Sequence, residues 1–99
     1  MKTETIIVKN ITQGTLTNVD GLKLKLAIDA ALVKDNIVTL SFSGISSISS
    51  SFLNSSLGDI IENYNISILK NRIKITNYTP NLALIIKKYI ANLEHTEVN

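Results

Sequence analysis

Hydrophobic and polar positions along this chain follow two different periods. Alternation, or a run of β-branched residues, predicts strands over residues 5–9, 37–42 and 72–77. Helical spacing predicts helices over residues 17–34, 50–64 and from residue 79 onward. Residues 10–16 and 66–69 are the places where a further short extended piece would fit. The chain is therefore predicted to alternate between strands and helices.

This alternation defines the expected fold. Strands separated by helices indicate an α/β domain with at least some parallel pairing. Two of the strands alternate apolar with polar residues, which suits a sheet covered by helices on one face and solvated on the other. The prediction is a small two-layer α/β sandwich with a mixed sheet of about four strands and helices on one face. Residues 1–99 form a single domain, with a polar tail from about residue 94.

Local signals mark where the helices begin and which side they bury. Thr17 and Asp20 form a capping box, and Thr79 with Pro80 is a strong helix start. The remaining assignments concern apolar stripes expected to face the core. In the first helix these are Leu22, Leu26, Ala30 and Val33, extended by Leu24, Ala27 and Ala31; in the second, Leu53, Leu57, Ile60, Ile61 and Tyr64; in the third, Leu82, Ile86, Tyr89 or Ile90, and Leu93.

Composition narrows the class of protein. The chain has 99 residues, is 44% hydrophobic and 18% charged, and contains no cysteine. These proportions are those of a globular protein, and the missing cysteines exclude disulfides and thiolate metal sites. No apolar run reaches the length of a membrane span, and the N-terminus lacks the features of a signal peptide. The cytoplasm is the expected location, and no cofactor or metal is predicted.

Basic residues are concentrated late in the chain, although the net charge is only +2. The group comprises Lys70, Arg72, Lys74, Lys87 and Lys88. In the strand, Arg72 and Lys74 are expected to share the face opposite Ile73 and Ile75. This group is interpreted as a solvated face, as a docking patch for an acidic partner, or as a site for nucleic acid or another polyanion. Homo-oligomerisation through an open sheet edge or face is a further alternative.

Catalytic chemistry finds little support in the sequence. The single histidine, His95, lies in the polar tail, far from the serines. Asp59 and Glu62 share one side of a helix, opposite its apolar stripe, and are expected to be solvated. We therefore predict no catalytic residue and a non-enzymatic protein.

The serines are the most uneven feature of the chain. Nine of the ten fall between residues 41 and 56, where a half-buried strand turns into an amphipathic helix. A helix N-terminus exposes backbone N–H groups and favours anions, phosphate included. One serine suffices to cap the helix, and capping or close packing is the simplest interpretation. The others predict a regulatory or partner-binding surface.

The same segment carries a family resemblance. Ser50-Ser51-Phe52-Leu53, followed by Leu57-Gly58 and preceded by a hydrophobic strand, resembles the STAS-like domain family of unknown function. That family is related to the STAS domains of anti-sigma-factor antagonists. Gly21 near the start of the first helix and the closing helix also fit, and the resemblance extends over about residues 16–93. It implies a STAS-like sandwich and a regulatory module whose partner is an ATPase or kinase-like regulator.

The resemblance also implies site residues. The antagonists carry an Asp-Ser-Ser-Gly motif after the strand, whose first serine is phosphorylated by a kinase of the histidine-kinase-like ATPase fold. Aligned on the helix start, Ser49 takes the Asp position, Ser50 the phosphorylated serine, Ser51 the next serine and Phe52 the glycine. Ser50 is thus the phosphorylation candidate, and Ser51 the alternative one residue on. The expected partner-binding residues are Ser46, Ser47, Ser49, Phe52, Asn54 and Ser55.

Overall fold

The computed structural model describes residues 2–97, and it describes side chains up to residue 93. In chain order the elements are β1 (Thr3–Ile7), α1 (Val8–Ile11), α2 (Asn18–Val33), β2 (Ile37–Ser41), α3 (Ser50–Leu53), a π-helical turn (Asn54–Gly58), α4 (Asp59–Asn63), α5 (Ser67–Asn71), β3 (Ile73–Thr76) and α6 (Pro80–Glu97). Because α3, the π-helical turn and α4 follow one another without a break, we refer to residues 50–63 as the serine helix.

The sheet within residues 2–97 has three strands in the order β1-β2-β3, and both pairings are parallel. Leu40 lies opposite Ile6 in β1 and opposite Ile75 in β3. The prediction of a mixed sheet with about four strands is therefore wrong for this part of the chain. The α/β character of the fold is confirmed.

Both expected extra strands form other structure. Residues 10–16 pass through the end of α1 and then through an irregular loop. Residues 66–69 contribute to α5, because Asn65 Oδ1 accepts a hydrogen bond from the Ser67 backbone N–H at 3.0 Å and also from the Ser67 hydroxyl. This side chain satisfies a backbone donor at the start of a helix, so the local apolar residues continue as a helical turn instead of a strand.

The two faces of the sheet differ in burial. Ile6, Val38, Leu40 and Ile73 share one face and are at most 5% exposed. On the opposite face Thr3, Thr5 and Lys74 are exposed. The core therefore lies on the helix-covered face, while the other face is open, as the alternation of the strands predicts.

Helix α2 buries only part of the predicted stripe. Its buried residues are Gly21, Leu24, Ile28, Ala31 and Leu32. Leu22, Leu26 and Val33 are instead 46%, 58% and 76% exposed, and Ala30 is exposed too. The extension of the stripe is confirmed, because Leu24 and Ala31 are buried and Ala27 packs half-buried against the core. The other part of the stripe was wrong because this helix is apolar on two sides, and periodicity does not decide which side meets the sheet.

The predicted helix starts are confirmed, and so are the other stripes except at Tyr64. Thr17 Oγ1 accepts a hydrogen bond from the Asp20 backbone N–H at 3.2 Å, and Thr79 Oγ1 accepts one from the Leu82 backbone N–H at 3.1 Å. In the serine helix the apolar stripe is buried up to Ile61, whereas Tyr64 is 38% exposed. The polar end expected from about residue 94 continues α6 to Glu97, and its last two residues, 98–99, lie outside the described part.

Arg72 joins the starts of two strands to the end of α2. Its guanidinium Nη2 donates to the Asn36 carbonyl at 2.8 Å and to the Leu32 carbonyl at 3.4 Å, and Nε donates to Asn36 at 3.2 Å. The ion pair with Asp35, at 3.8 Å, adds little because that carboxylate is 86% exposed.

We expect Arg72→Met to lower the free energy of unfolding by about 1–3 kcal/mol, since hydrogen bonds from a charged donor to half-buried carbonyls are lost. Lys70→Met, at an exposed neighbouring position, removes the same charge and is expected to change it by less than about 0.5 kcal/mol. Urea denaturation of both variants measures the difference. Equal losses would show that Arg72 contributes only its charge.

Candidate functional site: the serine turn

The turn after β2 presents its serines unevenly. We call residues 46–51 the serine turn. Ser46 and Ser47 are exposed, Ile48 is only 7% exposed, and Ser49 is half-buried. Ile48 anchors the middle of the turn in the core. The turn begins after Gly44, whose φ of +80° lies in the left-handed region that favours glycine.

The serine turn is fixed to the loop that precedes α2. Thr15 Oγ1 donates to the Ser47 carbonyl at 2.5 Å, and the Ser49 N–H donates to the Thr15 carbonyl at 3.0 Å. The Ser49 hydroxyl donates to the Leu16 carbonyl at 2.8 Å. These bonds join segments more than thirty residues apart in sequence, so the turn has a defined conformation.

Ser49 is the residue that caps the serine helix. Its Oγ accepts a hydrogen bond from the Phe52 backbone N–H at 3.1 Å, and its backbone is extended, with φ −90° and ψ 161°. Ser50 and Ser51 occupy the first two helical positions and are exposed. Among the side chains of residues 2–93, the Ser50 and Ser51 hydroxyls have no hydrogen-bond partner. Capping therefore accounts for Ser49 but not for its two neighbours.

Ser49→Ala is expected to lower the free energy of unfolding by about 1 kcal/mol, because it removes an N-cap acceptor. Ser50→Ala provides the matched control, since the same hydroxyl group is removed one residue further on from an exposed position. It is expected to have almost no effect. Thermal or chemical denaturation of the pair measures both, and an equal loss in Ser50→Ala would contradict the assignment of the cap to Ser49.

The predicted partner-binding residues do not all reach the surface. Phe52 is fully buried and offers no surface to a partner, so its inclusion is corrected. Its ring packs in the core instead, at the position that aligns with the glycine of the antagonists' motif. Ser55 is half-buried against α2, close to Gly21, while Asn54 is exposed.

A π-helical turn interrupts the serine helix directly after Leu53. The Tyr89 hydroxyl donates to Asn54 Oδ1 at 2.7 Å and lies so close to Gly58 that a side chain there would collide with it. Burial, with the nearby Asp59 carboxylate, raises the pKa of Tyr89 above its ordinary value. This contact connects α6 to the serine helix. The only sequence signal for it is Gly58, a glycine inside a helix.

Tyr64, which directly follows the serine helix, makes a second contact between helices. Its hydroxyl donates to Asp29 Oδ1 at 2.7 Å, which connects the helix to α2. The hydrogen bond to this carboxylate, with some burial, raises the pKa of Tyr64. The middle and the C-terminal end of the serine helix are thus held by contacts that sequence reasoning missed.

A cleft lies beside the serine turn, between the loops that follow β1 and β2. Its volume is about 490 Å³. The lining residues are Lys9, Thr12, Gln13, Gly14, Thr15, Leu16, Thr17, Asp20, Gly44, Ile45, Ser46 and Ser47. Lys9 and Asp20 carry opposite charges, so the cleft has no single sign of charge that would select an anion or a cation.

The sequence matches the family described as STAS-like domain of unknown function (DUF4325) over residues 20–83, well over half of the chain. This range includes the serine turn, all of the serine helix and β3. The chain belongs to this STAS-like family. Comparison with curated proteins and with solved structures gives no significant match.

The lysines of the predicted basic group of this STAS-like domain lie on three elements. Lys70 is on α5, Lys74 on β3, and Lys87 and Lys88 are on α6; all four are exposed. Lys87 lines a groove with Ile75, whereas Lys74 alternates with Ile75 and so points to the opposite side of β3. Arg72 is only 21% exposed and is occupied by backbone carbonyls. The group is therefore divided between two sides of the sheet.

Residues 2–97 contain no helix long and apolar enough to cross a membrane. Among the side chains of residues 2–93, no three Asp or Glu side chains are grouped so that they could hold a metal ion. The side chain of His95 lies outside the described side chains.

Proposed function

We propose that this STAS-like domain is a non-enzymatic, cytoplasmic protein-interaction module. Its docking surface is the serine turn with the exposed start of the serine helix, and its control point is Ser50, with Ser51 as the alternative. By family resemblance the partner is an ATPase or kinase-type regulator. The observation that carries the proposal is the division of roles among adjacent serines: Ser49 caps the helix, while Ser50 and Ser51 present free hydroxyls to solvent.

The surroundings of Ser50 suit a reversible negative charge. A phosphate on Ser50 adds about −1.5 to −2 charges at pH 7, at the N-terminal end of a helix, where the backbone dipole favours anions. Because Ser50 makes no side-chain hydrogen bond in the described structure, its modification breaks none. The domain therefore stays folded, and the added charge acts on a docked partner through repulsion and desolvation.

The rigid attachment of the serine turn supports a role in recognition. The bonds from Thr15 and Ser49 to the opposite loop hold the backbone in one conformation before a partner arrives. A preformed surface loses less conformational entropy on binding than a mobile loop does. The proposed surface thus combines a fixed backbone with hydroxyls that are open to modification.

Phosphate mapping tests the control point. The chain is incubated with ATP and an extract of its native cells, and phosphate is located by mass spectrometry. We expect phosphate on Ser50 or Ser51, and none on residues 46–51 in Ser50→Ala/Ser51→Ala. Phosphate confined to serines outside residues 46–51, or found nowhere, would remove the proposed switch.

A further inference from the structure

Helix α2 carries a second apolar stripe that nothing in the described structure covers. It consists of Val19 (61% exposed), Leu22 (46%), Leu26 (58%), Val33 (76%) and the exposed Ala30. At about 100° per residue, all five lie within about 40° of Leu26 around the helix. Single exposed apolar residues are normal on a protein surface, but a continuous exposed stripe of this length indicates an interaction surface.

We propose that the occupant of this stripe is α2 of a second copy of the chain, packed antiparallel. Relative to Leu26, the stripe lies at positions −7, −4, 0, +4 and +7, which is a mirror-symmetric spacing. A two-fold axis at Leu26 therefore places Val19 against the second copy's Val33. It also places Leu22 against the second copy's Ala30, a large side chain against a small one.

The charges beside the stripe agree with this pairing. Lys25 and Asp29 lie on the same side of the stripe, facing the serine helix, since Asp29 binds Tyr64 there. The two-fold axis brings Lys25 to within about 3 Å, along the helix axis, of the second copy's Asp29. On the other side of the stripe, Lys23 and the second copy's Lys23 are about 9 Å apart along the helix axis. At that distance salt largely screens the repulsion between the two charges.

Antiparallel packing also aligns the helix ends favourably. The N-terminus of each α2 lies beside the C-terminus of the other, so the two macrodipoles attract. The interface contains no residue of the serine turn and is independent of the function proposed above. It also differs from an association through the sheet edge or the open sheet face.

Cysteine cross-linking tests the pairing and its direction, because the natural chain has no cysteine. We expect Leu26→Cys to form a covalent dimer under mild oxidation. Val19→Cys and Val33→Cys are expected to cross-link only when the two are mixed. Lys70→Cys, an exposed position on α5, serves as the control for random collision and stays monomeric.

Sedimentation of the full-length chain over a range of concentrations tests the same proposal without cross-linking. We expect a monomer–dimer equilibrium for the natural chain and at least a tenfold weaker association, on the order of 1.4 kcal/mol, for Leu26→Lys. A chain that stays monomeric, with Leu26→Cys no more cross-linked than Lys70→Cys, overturns the proposal. Cross-linking of Val19→Cys to itself overturns it too, because only a parallel pair brings those positions together.

Discussion

Phe52→Ala is expected to lower the free energy of unfolding by about 3–5 kcal/mol, the largest effect that we predict. Phe52 is fully buried and lies in the first turn of the serine helix. Its truncation removes apolar contacts and leaves a cavity that the surrounding core fills only in part. For a domain of this size, the loss is a large share of the total stability.

The expected result can be checked by urea denaturation against Ser51→Ala. Ser51 is the preceding residue and is exposed, so its variant is expected to change the free energy of unfolding by less than about 0.5 kcal/mol. If Phe52→Ala lost no more than Ser51→Ala, the Phe52 ring would not be in the core. The correction to the predicted partner-binding surface would then fail.

Gly21→Ala is expected to destabilise the domain by about 1–3 kcal/mol, although alanine is the better helix former. A Cβ at residue 21 would lie 2.6 Å from the Phe52 carbonyl oxygen and 2.7 Å from the Ser55 Cβ. Backbone atoms cannot move aside without separating α2 from the serine helix. The glycine therefore allows these two helices to approach closely.

Ala30→Gly provides the comparison for this prediction. Residue 30 is exposed in the same helix, so glycine there is expected to cost about 1 kcal/mol through helix propensity alone. Alanine is thus expected to be favourable at residue 30 and unfavourable at residue 21. Denaturation at low protein concentration measures the change in the free energy of unfolding for both variants. A stabilising Gly21→Ala would contradict the close helix packing.

Short-range chemistry explains the parts of the fold that the sequence predicts well. Thr17 and Thr79 cap their helices through backbone N–H groups three residues away, so the whole interaction lies within a few residues of sequence. The alternation of β2 similarly reports one buried and one open face. Such signals depend on local geometry, which the sequence contains directly.

Long-range contacts explain the misses. α2 has leucines on opposite sides, at residues 22 and 24, and the buried side is the one on which Gly21 packs closely against the serine helix. The miss at residues 66–69 is an exception, because the contact that starts α5 is local and joins Ser67 to Asn65, two residues before it. At the site, the turn and its serines were predictable. The choice of Ser49 as the cap depends in addition on Leu16, thirty-three residues away.

The proposed docking role rests on Ser50 and Ser51, and a comparison of charge variants in a pull-down tests it most directly. Ser50→Asp/Ser51→Asp adds two negative charges at the serine turn. Ser67→Asp/Asn71→Asp adds the same charges to exposed positions on α5. These positions lie near the amino ends of the parallel strands, whereas the serine turn lies at their carboxyl ends. Thermal denaturation first establishes that both variants remain folded.

We predict that a partner captured from cell extract by the natural chain is also captured by Ser67→Asp/Asn71→Asp. The same partner is expected to be lost with Ser50→Asp/Ser51→Asp. That result would locate the docking surface at the serine turn. Capture that is equal for all three proteins would contradict the account and leave Ser50 and Ser51 as solvated residues at the start of a helix.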